Sequence, residues 1–169
     1  MGLTEEELRF VTDRMLGKLS VWLRVLGHDT VYVADLKAMG AAAEDKALAA
    51  FAKEESRILL TRDKDLVTLA RKKGVQCLYI QADDVMTQLK ELLRYNLDIN
   101  LEPVPQRCSV CNARIRRVTN EEWDMLMGNS YVPTSEVGKR EFWVCVRCGK
   151  IYWAGSHWRN MRERLRQLQ

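Results

Sequence analysis

The chain has 169 residues, 47% of them hydrophobic and 30% charged, with a formal net charge of +4. That is the make-up of a soluble globular protein with room for one full domain and a small second one. It excludes a membrane helix, because no apolar run approaches the roughly 18 residues required; the acidic start MGLTEEELRF lacks the apolar stretch of a secretory signal, so a cytoplasmic location is expected.

The first hundred residues alternate between two periodicities. LRFVTD (8–13) reads as a strand ending in an acid. RMLGKLSVWLRVLG (14–27) follows at helical spacing, with Leu16, Leu19, Leu23 and Leu26 on one stripe and Gly27 as its stop. HDTVYVA (28–34) is a second strand, opened by His28, which is expected at the surface or in a turn. EDKALAAFAKEE (44–55) is an Ala-rich helix with acids in its first turn. RILLT (57–61) is a third strand, and KDLVTLARKKG (64–74) a helix closed by basic residues and glycine, as the helix dipole favours. VQCLYI (75–80) and VMTQLKELLRYN (85–96) complete the alternation, with Cys77 as a small buried hydrophobe. A β-α-β-α-β-α-β-α order predicts a parallel sheet with helices on both faces, and ligands at the carboxyl ends of its strands.

LEPVPQRC (101–108) holds two of the three prolines and no periodicity, so it reads as a linker. It divides the chain into an α/β domain, 1–100, and a C-terminal domain, 101–169. The charge is uneven across it: 15 Lys/Arg face 16 Asp/Glu before residue 101, but 12 face 7 after it, which suggests a polyanion-facing C-terminal third. There Cys108, Cys111, Cys145 and Cys148 form two C-x-x-C pairs. In a reducing compartment such a set reads as a metal site, and a tetrahedral S4 donor set suits zinc. An iron–sulfur centre and a redox dithiol are the alternatives. Four thiolates leave no position open for substrate, so the expected zinc is structural, holding a small zinc ribbon built from ARIRRV and EFWVCVRCGKIYW. Trp123 and Trp143 are expected in the ribbon core.

The acids carry the chemistry. Asp13 ends the first strand and Asp63 the third, with Asp65 just beyond; Asp45 or Glu44 opens the helix that leads into the third strand. In a parallel sheet these positions meet at one edge, where carboxylates repel one another unless a cation joins them. Mg2+ or Mn2+ is the matching ion, with Asp13 and Asp63 as its first ligands, and such an ion can align water for attack on a phosphodiester. The blander alternative is that Asp65 caps the helix beginning at Leu66 and Asp45 caps its own. Asp83 and Asp84, after the fourth strand, are open between a site and a turn.

RFVTDRMLGKLSVWLRVLGHDTVY, ILLTRDKDL, RCSVCNARI and CVRCGKIYWAGSHWRNM together resemble the Mut7-C RNase domain family, over Arg9 to Met161. The resemblance implies a PIN-like three-layer α/β/α sandwich with an appended zinc ribbon, and metal-dependent ribonuclease activity. It also implies catalytic roles for Asp13, Asp45, Asp63 and Asp65. An acid that the family commonly carries two residues after Asp45 is replaced here by Ala47.

Cationic residues complete the expectation. Arg14 and Lys18, one turn apart beside Asp13, are placed to neutralise a phosphate or to form a solvated face. In the tail SHWRNMRERLRQLQ, His157 sits beside Trp158 and ahead of Arg159, Arg162 and Arg166, a combination suited to stacking on bases and contacting phosphates. Two functions follow: a metal-dependent endoribonuclease, or a non-catalytic RNA- or ribosome-binding protein that keeps a PIN-like frame.

Overall fold

The structure is a computed structural model that describes residues 7–36 and 41–169. Four parallel strands form the central sheet: β1 (Arg9–Thr12), β2 (Asp29–Tyr32), β3 (Ile58–Thr61) and β4 (Cys77–Tyr79). Their spatial order is β2-β1-β3-β4. The helices are α1 (Gly17–Val25), α2 (Ala41–Glu54), α3 (Lys64–Lys72) and α4 (Val85–Leu93).

Alternation along the strands builds the layers, because successive side chains leave opposite faces. Phe10, Leu60 and Leu78 meet Leu19, Leu23, Leu89 and Leu92 of α1 and α4. Val11, Leu59 and Cys77 meet Leu48, Ala52, Leu66 and Ala70 of α2 and α3. The result is the three-layer α/β/α sandwich expected from the alternating pattern. Cys77 is buried as expected, and burial pushes its thiol up to about 11.

Two local expectations change. The helix after β1 starts with one 3-10 turn, Arg14–Leu16, before α1 proper. The Asp13 carboxylate caps that turn, accepting from the Met15 N–H at 3.0 Å. His28 is buried rather than superficial, its ring edge-on to Phe10 at 5.8 Å. Gly27, at φ +90°, turns the chain sharply from α1 into β2 and tucks His28 under the sheet. Burial lowers the His28 pKa, and its Nε2 has no partner among the described residues.

The C-terminal part is a three-stranded antiparallel sheet, β5 (Ile115–Arg117), β6 (Phe142–Cys145) and β7 (Ile151–Trp153), in the order β5-β6-β7. A short helix, α5 (Trp123–Met127), lies between β5 and β6, and α6 (Ser156–Arg166) follows β7. Phe142 and Val144 of β6 join Leu126 and Ile151 in its core. Trp143, between them in sequence, leaves the other face and stacks on Trp158 at 6.2 Å. Trp123 is also outside the core: it is exposed, resting beside Gly138, while Leu126 takes the buried position one turn later. The expectation that both tryptophans fill the ribbon core is thereby corrected.

This sheet docks on the amino edge of the parallel sheet. The buried guanidinium of Arg24, near the end of α1, donates to the carbonyls of Ser109 (3.2 Å) and Val110 (3.0 Å). Asn112 accepts from the Thr30 N–H at 3.0 Å and donates to Asp29 at 2.7 Å. Leu165 of α6 inserts into the α1/α4 layer. Among the described residues no helix is long and apolar enough to cross a membrane.

Candidate functional site

Strand order places the acids. The chain runs outward from β1 to β2, then returns across β1 to β3, so the order reverses between β1 and β3. The crevice at the carboxyl ends of those two strands is where open α/β sheets bind ligands. Asp13 follows β1 and Asp63 follows β3.

Asp13 is buried and firmly held. Its Oδ2 accepts from the Thr61 hydroxyl and, at 3.0 Å, from the Arg62 N–H; its Oδ1 accepts from Met15. Thr61 in turn accepts from the Asp63 N–H at 2.9 Å, so the ends of β1 and β3 are laced through one carboxylate. Asp63 is the N-cap of α3: its Oδ1 accepts from the N–H groups of Asp65 (2.8 Å) and Leu66 (3.4 Å). The helix cap is therefore Asp63 and not Asp65, because the helix begins at Lys64, two residues earlier than a cap at Asp65 requires. Asp65 is left exposed in the first turn.

Glu44 and Asp45 have different surroundings. Glu44 is paired in fork fashion with Arg14, at 2.8 and 2.9 Å. Asp45 has no ion pair among the described residues and lies within charge range of the other acids. Burial, then the charges of Asp63, Glu44, Asp13 and Asp65, push its carboxyl above the ordinary range. Asp83 pairs with Arg62, whose guanidinium also donates to the Gln81 carbonyl at 3.2 Å. Asp84 caps α4 through the Thr87 N–H at 3.0 Å.

The second constellation is far from this edge. All four cysteine sulfurs of Cys108, Cys111, Cys145 and Cys148 lie within 4.8 Å of one another, and no other trio or larger group of metal-ligating side chains gathers so closely among the described residues. Cys108 and Cys148 are 3.6 Å apart, and Cys111 and Cys145 3.4 Å. A tetrahedral ion with bonds of about 2.3 Å sets its sulfurs about 3.8 Å apart, so the set fits a metal ion such as zinc. The two halves share one backbone device. The residue after each second cysteine, Asn112 or Gly149, has φ of 65° or 74° and donates its N–H to the carbonyl of the first cysteine, at 2.9 and 3.1 Å. The Cys145 sulfur accepts from the N–H groups of Arg147 and Cys148; these and the neighbouring thiols outweigh burial and lower its pKa to about 7. Tyr152 places its hydroxyl 3.0 Å from the Cys108 sulfur.

The cationic candidates do not gather at one place. Arg14 is spent on Glu44, while Lys18 is exposed on α1 near the acid edge. On α6, Arg162 pairs with Glu102 and Arg166 lies 3.8 Å from Glu163, whereas Arg159 is exposed. His157 is exposed too, but on the side of α6 that faces α1 and the ribbon. Three further residues on that side, Trp22, Lys150 and Arg164, carry no sequence signal of their own, since they come from three distant segments.

Compared with known proteins, the chain matches no curated protein and no solved structure, but the family model described as the Mut7-C RNAse domain matches residues 8–165. That span takes in both the acid edge and all four cysteines. It points to a nuclease-like family for which RNA is the suggested substrate or partner. By that match, over nearly its whole length, the chain belongs to the Mut7-C RNAse domain family.

Proposed function

We propose that the protein is a metal-dependent ribonuclease that hydrolyses RNA phosphodiesters at the carboxyl edge of its parallel sheet. The observation that carries this is the placement of Asp13 and Asp63 at the carboxyl ends of β1 and β3, where the strand order reverses, with the Asp45 carboxyl pushed up by burial and then by the charges of these acids. Hard oxygen donors under mutual repulsion fit Mg2+ or Mn2+. These carboxylates are more widely spaced than the four sulfurs; Mg2+ and Mn2+ are held by few carboxylates together with waters and phosphate oxygens. Asp13, Asp45 and Asp63 are the residues that would hold it, with Asp65 beside them. The ion's chemistry there is activation of a water and neutralisation of phosphate charge. The chain's own contribution is positional. Three donors fix Asp13, the α3 cap fixes Asp63, and exposed Lys18 offers a cation to the incoming phosphate.

The four-cysteine site takes a structural zinc in this reading, and the ribbon with α6 contributes RNA or ribonucleoprotein contacts. The reading assumes a reducing cytoplasm, in which four thiols remain available to a metal. A non-catalytic RNA- or ribosome-binding role is the second reading. It is favoured by the full engagement of Asp13, both of whose oxygens already accept hydrogen bonds within the protein.

The test is cleavage of a structured RNA with Mn2+ by the parent, Asp13→Asn and Asp63→Asn. The ribonuclease reading expects cleavage that needs the metal and disappears in both variants. RNA binding without cleavage in the parent, unchanged in both variants, establishes the second reading instead.

A further inference from the structure

A groove of about 900 Å³ runs between the outer face of α1, the ribbon and α6. It is near the upper end of the size range of ligand sites. Three features of its wall bear on what it takes. First, it is aromatic: Trp22 from α1, Tyr131 and Trp153 from the ribbon and Trp158 from α6 all line it. Second, these rings are held in place. Tyr131 stacks on Trp153 at 6.4 Å and 24°, and its hydroxyl accepts from the Ile151 N–H at 3.0 Å. Trp158 is backed by Trp143. Third, the wall is cationic. Arg164 lies over the Trp22 ring at 5.2 Å, Lys150 over Tyr152 at 5.8 Å, and no Asp or Glu is among the described lining residues.

Flat rings with interspersed cations and no acids complement a chain that is flat, apolar and anionic at once. Unpaired nucleotides fit this, because every base has a π face and every link a negative phosphate. A folded protein partner would meet uncompensated positive charge, and duplex RNA hides its base faces. The groove also has a route to the acid edge. Lys18, Val21, Trp22 and Val25 share one face of α1 at spacings of three and four residues. That helix starts beside Asp13 and is about 14 Å long.

We infer that this groove binds unpaired RNA bases by stacking, and that the exposed face of α1 leads the strand from it toward the acids. The binding half of this inference stands whether or not the acid edge cuts; the route rests on the ribonuclease reading. On α6 the working cation is Arg164, on the groove side, rather than Arg159, Arg162 or Arg166, which do not line the groove.

The experiment is binding of a labelled single-stranded 12-mer RNA by anisotropy and tryptophan quenching, without added divalent ion, against the same sequence as a duplex. Binding to the single strand should quench tryptophan emission and exceed duplex binding. Arg164→Glu and Trp22→Ala should each weaken it by about tenfold or more, and Arg159→Glu by clearly less. Trp22 also packs on the core, so circular dichroism checks the fold of that variant, and exposed Arg164 gives the independent arm. Wild-type affinity in Arg164→Glu, equal binding of the duplex, or quenching by an acidic apolar peptide but not by RNA overturns the inference. Groove binding that is intact in a protein that never cleaves overturns the ribonuclease reading and with it the route along α1, and leaves the binding half standing.

Discussion

Asp63 serves two purposes with one carboxylate. Its Oδ1 satisfies two N–H groups at the start of α3, and its charge helps push up the Asp45 carboxyl. These roles separate by substitution, because asparagine caps a helix about as well as aspartate does but carries no charge. Asp63→Ala should lose about 1 kcal/mol of stability in urea unfolding, and Asp63→Asn much less. Both should lose the proposed metal-dependent cleavage. Equal stability loss in the two variants would show that the cap is not what the charge-neutral substitution preserves. Asp45 is the opposite case, an acid whose charged form the fold disfavours. Stability from a raised carboxyl is present below its ordinary pKa and lost as pH rises through the folded one. A divalent ion should therefore raise Tm at neutral pH, and Asp45→Asn should raise the Tm measured without the ion and shrink that metal-induced gain.

At the scale of elements, the amino ends of β1, β2 and β3 are tied by one buried acid. Asp29 takes Arg57 at 2.8 Å, Asn112 at 2.7 Å, and Arg9 and Arg107 at 3.5 and 3.6 Å. Burial alone would raise its pKa. The hydrogen bonds of Arg57 and Asn112, with the charges of Arg57 and Arg107, outweigh burial and hold it at about 2. A depressed acid stabilises the fold above its unfolded pKa, near about 3.9, and that stability is lost as pH falls toward the folded value. The contribution is about 2 kcal/mol. Unfolding free energy should therefore drop between about pH 4 and about pH 2. Asp29→Asn should flatten that slope whatever it does to stability at pH 7. A slope unchanged in the variant would assign the acid sensitivity to other groups.

For the whole molecule, the four-cysteine cluster and the acids lie at opposite edges of one sheet, joined by α1 and by β2. Asn112 is the joint. Its backbone closes the first cysteine turn in the left-handed region, and its side chain completes β2 by accepting from Thr30 and bonding Asp29. A metal bound by the cysteines would thus also hold the sheet edge. On the structural-zinc proposal, treatment with a strong chelator should lower Tm. It should also speed amide exchange at Thr30 and its neighbours in β2, while β4, on the far side of the sheet, stays protected. Exchange at β2 that ignores the chelator would mean that the ribbon and the sheet are energetically separate.

The sequence alone determined what depends on local order. The strand–helix alternation, Asp13 and Asp63 at strand ends, and the two C-x-x-C pairs are patterns of period and spacing, each complete within a few residues. Those patterns were legible because backbone geometry converts period directly into a face or an end of an element. Only the tertiary structure decided what depends on pairing across distance. It set Glu44 against Arg14 and Asp45 against the acids, gave the α3 cap to Asp63, and buried His28. It also docked the ribbon at the edge opposite the acids, and it brought Trp22, Lys150 and Arg164 around one groove. Charge pairing and burial are properties of neighbours in space, and those neighbours stand up to 142 residues apart in the chain, the separation of Trp22 and Arg164.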